Sequence, residues 1–298
     1  MRFVHKIRMK EENNMKKLLA LALAAGMVFS MTACGNNNSD TADQGNTAGD
    51  TSSAEAETGT SDGDSDLAYI KDKGTLTVGV TNFEPMDYQD EDGNWIGFDA
   101  DMAALFAESL GVEVEFVEID WDNKILELDS KTIDCAWNGM TLTPEVTSSM
   151  DCTNAYCNNS QVVVLPADIA DQYQDTESLA DLSFAVEAGS AGEAAASDNG
   201  LNYTSVDSQA SALMEVSAGT SDAAIIDLLM AEAMVGEGTS YDSLTAGMTL
   251  VDEEYGVGFR KGSDLVDQLN SFFAEKYADG TMTEIAAKYG IEGSIVAQ

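Results

Sequence analysis

Three short stretches of this 298-residue chain carry groups that can recognise a charged small molecule. Asn138-Gly139-Met140-Thr141 follows a strand-like segment. A polar turn there offers backbone N–H groups and the Thr141 hydroxyl to a carboxylate, with Gly139 permitting close backbone approach. Gly189-Ser190-Ala191-Gly192 stands before a helical stretch, where unpaired N–H groups and the helix dipole favour an anion. Asp227 ends the run DAAIID, and a carboxylate at a strand end serves either as counter-ion to an amine or as cap of the following helix. Hydrolytic chemistry has no comparable inventory. The single histidine, His5, precedes the processing site described below, so Ser-His-Asp, Cys-His and His-rich zinc sites are excluded from the mature chain. Cys135, Cys152 and Cys157 are odd in number and match no zinc spacing. Cys152 and Cys157 stand either as a disulfide across a short loop or as packed free thiols. No catalytic group, metal or cofactor is expected.

The elements that must position these groups begin well into the chain. Lys16-Lys17 precedes an apolar run from Leu18 to Phe29, which ends in Met31-Thr32-Ala33-Cys34. A positive segment, a short apolar segment and small residues before a cysteine read as a secretory signal over residues 1–34, too short to span a bilayer. Residues 35–65 hold no aromatic or branched aliphatic side chain and cannot offset chain entropy by burial, so they read as a disordered tether. Six of the 14 basic and two of the 53 acidic residues precede Cys34, which leaves eight against 51 and a net charge of −43. Nucleic acid is thereby excluded as a partner, since phosphate neutralisation needs clustered Lys and Arg.

From residue 66 the pattern alternates strands and helices, which predicts an α/β fold with largely parallel sheets. Strands are expected at Thr75 to Val80, Val112 to Ile119, Ile133 to Trp137, Phe184 to Glu187, Tyr203 to Val206 and Ala223 to Ile226. Tyr88 to Phe98 reads as a hairpin turning at Asp92-Gly93. Helices are expected from Asp99, as cap, through Leu110, and at Asn123 to Ser130, Ser190 to Ser197, Ser208 to Ala218 and Leu228 to Val235. Others follow Thr143-Pro144-Glu145, Leu265 and Met282. Two extended segments, Gln161 to Leu165 and Tyr255 to Arg260, read as crossovers between lobes. They divide the body into residues 66–160 plus 251–298 and residues 161–250, with a ligand cleft between.

Nine stretches in order resemble one family: LTVGV at 76, GNWIGFDADMAALFAESLGVEVEFVEIDWD at 93, IDCAWNGMTLTPE at 133, QVVVL at 161, SLADL at 178, VEAGSAGE at 186, DAAIID at 222, YGVGFRKGS at 255 and ADGTMTEIAAKYG at 278. They resemble bacterial extracellular solute-binding proteins of family 3, the polar amino-acid-binding subunits of ABC importers. The resemblance implies a type II periplasmic-binding-protein fold of two lobes joined by a two-strand hinge, a monomer and not an enzyme. It also implies delivery of an amino acid or related polar solute to an ABC permease and its ATPase. MTAC with Gly35 resembles a lipobox, implying that Cys34 is lipidated and holds the protein on the outer face of the cytoplasmic membrane.

A free amino acid is a zwitterion, so its site needs donors for the carboxylate, an acid for the ammonium and a shaped wall for the side chain. The resemblance implies aromatic walls at Phe83 and Trp121, carboxylate donors at Asn138, Gly139, Thr141, Ser190 and Ala191, and an ammonium partner in Asp227. Two positions depart from it. Val146 stands where relatives carry an arginine that grips the ligand carboxylate, and Glu187 stands where some relatives are basic. Two ligand readings follow: an amino acid held through neutral donors, or a cationic amine such as a polyamine, with Glu84, Asp87 and Glu187 as cation partners. A dehydratase-like enzyme on the same fold is the alternative from another class.

Overall fold

The computed structural model describes residues 65–298. The signal, Cys34 and all of the expected tether except Ser65 lie outside the described residues. Ser65 accepts the Ala68 N–H and so caps α1 (Asp66–Lys73).

A nine-stranded mixed sheet forms the frame, in the order β4-β1-β5-β11-β7-β10-β8-β9, with β6 (Asp151–Cys152) beside β11. One side holds parallel β1 (Thr75–Val80), β4 (Glu113–Glu118) and β5 (Cys135–Thr141). The other holds parallel β8 (Ser183–Glu187), β9 (Asn202–Val206) and β10 (Ala223–Asp227). Between them run two antiparallel strands, β7 (Cys157–Pro166) and β11 (Leu244–Phe259), registered from Leu244 opposite Pro166 to Tyr255 opposite Cys157. These are the two expected crossovers, and both are longer than the sequence suggested. Their antiparallel pairing also means that the sheet is parallel only on its two flanks. Tyr88–Gln89 (β2) and Trp95–Ile96 (β3) form the expected hairpin.

Helices α2 (Phe98–Leu110), α3 (Lys124–Asp129), α4 (Pro144–Ser149), α5 (Ala191–Asp198), α6 (Gln209–Ala218), α7 (Leu228–Met234), α8 (Leu265–Ala278) and α9 (Thr281–Lys288) cover the sheet faces. Thr143, Ser190 and Ser208 cap α4, α5 and α6 through their hydroxyls, as expected of these residue types. Asp99 does not cap α2. That position belongs to Gly97, at φ 131°, where an added Cβ would sit 2.1 Å from the Met86 carbonyl oxygen. The buried Asp99 carboxylate instead accepts the Gly139 N–H and the Tyr156 hydroxyl, each at 2.7 Å. None of the described helices is long and apolar enough to cross a membrane. All three body cysteines are free thiols, with Cys135 and Cys157 buried.

Arg260, the only arginine beyond Cys34, follows β11 and is spent on structure. Its Nε donates to Asp66 at 3.1 Å, its second guanidinium nitrogen pairs with Asp66 at 2.9 Å, and its remaining nitrogen donates to the Leu128 and Ile133 carbonyls. Asp134, 3.5 Å from the same guanidinium, also accepts from Lys73 and from the Thr77 N–H.

Candidate functional site

A cavity of about 630 Å³ lies between the two flanks of the sheet. Nine of the residues singled out in the sequence line it: Phe83, Trp121, Asn138, Gly139, Thr141, Glu187, Ser190, Ala191 and Asp227. Strand ends and helix starts bring them together. Asn138, Gly139 and Thr141 close β5, Glu187 closes β8, Asp227 closes β10, and Ser190 and Ala191 open α5.

Their hydrogen bonds sort them into groups that face a ligand and groups already engaged. Asn138-Gly139-Met140-Thr141 is not a turn after β5 but its last residues, with Gly139 at φ 53° pressed under Phe83 and Tyr255. The Asn138 amide is fully used: its oxygen accepts from the Thr81 N–H and hydroxyl, and its nitrogen donates to the Thr81 carbonyl and to Asp87. The Gly139 N–H goes to Asp99. These two are therefore scaffolding of the cavity, and half-buried Thr141 brings a hydroxyl with no hydrogen-bond partner among the described residues. Glu84 and Asp87, considered as cation partners, do not line the cavity; Asp87 is buried against Asn138.

Asp227 makes no cap bond to α7, which removes the helix-cap alternative. It is buried, and it accepts from Asn159 at 2.5 Å, Gln161 at 3.0 Å and the Tyr255 hydroxyl at 2.5 Å on one oxygen, and from Gln209 on the other. Glu253 shares the Asn159 and Gln161 donors. Burial, and then the neighbouring Glu253 charge, push the Asp227 carboxyl well above the usual carboxylate range. Ser190 accepts the Glu193 N–H, while Glu193 reaches back to the Gly189 N–H at 2.8 Å, so the start of α5 is already partly neutralised.

Glu187 is 3% exposed, and its Oε1 has no hydrogen-bond partner among the described residues. Burial pushes its carboxyl up to about 8 against the pull of the Lys124 ammonium and then of Thr81 and Gln209. Lys124 was missed in the sequence. It is 7% exposed and lies 5.0 Å from the Trp121 ring centroid, so this protein's own cation covers a face of one expected aromatic wall. One signal pointed to it: a lysine opening a helix stands against the helix dipole and needs another reason to be there. Val146 is buried with Trp121, Met140 and Met150, so the expected arginine position is apolar wall. Five carboxylates (Asp122, Glu145, Glu187, Glu193 and Asp227) and the one Lys124 line the cavity among the described residues.

The two flanks touch at Gly189, whose φ is 69° and whose added Cβ would sit 2.6 Å from the Asp122 Cα. Gly189→Ala is expected to hinder closure and weaken ligand affinity by on the order of tenfold or more, because the competent closed state becomes scarcer. Calorimetric titration checks this, and unchanged affinity would contradict it.

The buried carboxyls set a pH dependence as well. Asp99, raised to about 7 by burial, and Glu187, raised to about 8, hold protons in the folded chain that the unfolded chain releases near pH 4. Between these limits the folded state binds more protons, so stability falls as pH rises. Below that window exposed carboxylates reverse the trend. Asp151 is held low by the Gly262 N–H and Asp222 by the Ser183 hydroxyl. The ligand-free protein is expected to melt highest near pH 5 and several degrees lower at pH 8.5 in thermal scans. A midpoint rising between those values would contradict these assignments.

A mixed sheet folded around a central cavity, with helices on both faces and two long strands joining its flanks, defines a type II solute-binding fold of two lobes. The family of bacterial extracellular solute-binding proteins, family 3, matches residues 76–292, and the chain belongs to it. It is similar to the arginine-binding extracellular protein ArtP of Bacillus subtilis, at 28% identity over 92% of this chain and 98% of that protein. It is also similar in structure to a substrate-binding protein of an ABC uptake transporter from Streptococcus pneumoniae with bound histidine, with TM-score 0.71 and 28% identity over 79% of this chain and 99% of that one. A third likeness, with TM-score 0.69 and 30% identity over 76% of this chain and 99% of the other, is to an ancestral amino acid-binding protein, a precursor of cyclohexadienyl dehydratase.

Proposed function

We propose that this protein captures a free amino acid between its lobes and delivers it to the permease of an ABC importer, while diacylated Cys34 holds it at the membrane. The hinge would divide residues 66–160 plus 251–298 from residues 161–250, and the protein would act as a monomer without catalysis. The observation that carries the reading is the convergence on one cavity of an ionisable acid, Asp227, and an α5 N-terminus bearing Ser190 and Ala191. One suits an ammonium group and the other a carboxylate. Phe83 would wall the ligand, and Glu187 would face its side chain. Relatives named for arginine and histidine binding support the class.

The excess of carboxylates over a single lysine favours a second reading, a cationic amine without a carboxylate. Thermal unfolding of the purified protein against the L-amino acids, cystine, dipeptides and polyamines separates them. A ligand at 100 times its dissociation constant adds about 2.7 kcal/mol to the native state, which is a rise of roughly 5–10 °C in a body this size. A rise with an L-amino acid supports capture of that class, a rise with polyamines alone supports the second reading, and product formed from the ligand would establish an enzyme.

A further inference from the structure

The carboxylate end of the cavity has lost its ordinary donors. Val146 is apolar, the Gly139 N–H is given to Asp99, the Asn138 amide is saturated, and Glu193 occupies part of the α5 N-terminus. One cation remains. The Lys124 Nζ donates to the Gly189 carbonyl at 2.8 Å and to the Trp121 carbonyl at 3.2 Å. Gly189 directly precedes Ser190 and Ala191, so the ammonium sits at the same turn that starts α5. An ammonium has three N–H donors, and the third has no acceptor among the described residues. Burial pulls the Lys124 ammonium below the usual lysine range, and Glu187, Asp122, Glu145 and Glu193 counter that pull from around the cavity, yet none of them forms an ion pair with it.

We propose that Lys124 is the specificity-determining anchor for the ligand carboxylate, replacing the absent arginine from a different element, α3 rather than α4. This rests on the amino-acid reading above. Because Lys124 starts α3 on one flank while Gly189 belongs to the other, a carboxylate joining this turn meets both flanks at once, so recognition of the anion and closure are one event. Lysine offers a point charge rather than a planar fork. The site therefore selects for a carboxylate without fixing its plane, and Ser190, Ala191 and Thr141 supply the orientation.

The test compares each of L-arginine, L-lysine, L-histidine and L-tyrosine with its decarboxylated amine (agmatine, cadaverine, histamine and tyramine), by calorimetric titration of the purified full chain and of Lys124→Met. For any of these L-amino acids that binds, wild type is expected to prefer it to its amine. Lys124→Met should weaken the amino acid by on the order of 10- to 100-fold, the range for a hydrogen bond to a charged group, and shrink the preference by the same factor. Lys124→Arg, which keeps the charge, should restore most of the loss, and ligand-free thermal scans confirm that both variants fold. Equal losses for acid and amine, or an unchanged preference in Lys124→Met, would overturn the assignment by reducing Lys124 to a packing residue. Failure of the underlying reading has another signature: wild type then binds no L-amino acid of the thermal-unfolding panel or binds the amines as well, and the assignment falls with it.

Discussion

Asp227→Asn is expected to weaken ligand binding by about 30-fold to several thousand-fold, the cost of removing one partner from a buried, hydrogen-bonded charge pair (about 2–5 kcal/mol). The fold should form, with a ligand-free melting midpoint a few degrees lower, because the amide NH₂ faces one of the donors that converge on Asp227. Asn matches Asp in size, and burial together with the Glu253 charge already pushes the Asp227 carboxyl well above the usual carboxylate range, so the empty cavity loses little charge stabilisation by the change. Function should not tolerate it. An ionised Asp227 can pair with the ligand's ammonium group, whereas an amide carries no charge to offer it. Titration calorimetry of the variant, alongside ligand-free melting, separates the two effects. Affinity within threefold of wild type would mean that the ammonium is held elsewhere.

Arg260→Leu is expected to destabilise the protein by about 3–5 kcal/mol, because it leaves the buried Asp66 and Asp134 without their shared cation and two carbonyls without a donor. At roughly 2–4 °C per kcal/mol, the melting midpoint should fall by on the order of 10 °C. Arg260 is not among the cavity-lining residues, so the variant at a temperature where it is folded should bind ligand as wild type does. A shift below about 2 °C would show that Lys73 and Lys131, which also reach these aspartates, suffice without it.

The sequence made the architecture legible because its signals are local. Serine and threonine caps opened α4, α5 and α6 where their hydroxyls predicted. The residues lining the cavity were legible for a related reason: strand ends and helix starts in an α/β fold converge on one face, and the singled-out groups stand at such junctions. What stayed hidden depends on partners distant in sequence. Asp99 looks like a cap from its neighbours alone, and only the approach of Gly139 and Tyr156 makes it an internal acceptor. Asn138 looks like a free donor until Thr81 and Asp87 close around it. Lys124 looks like a solvated helix residue, and its value appears once the opposite flank brings the Gly189 carbonyl to it. The long reach of β11 back to Leu244 was equally invisible, since residues 245–254 are all exposed or half-buried and carry no long apolar run.

The most direct test of capture as a zwitterion is a calorimetric comparison of the bound L-amino acid with its N-acetyl and carboxamide derivatives, which each remove one charge. The site described above predicts one-to-one binding of the free amino acid and a loss of on the order of 100-fold or more for each blocked form. The N-acetyl form lacks the group for Asp227, and the carboxamide lacks the group for the α5 turn and Lys124. Binding of either blocked form as tightly as the free amino acid would contradict recognition of both charges in this cavity.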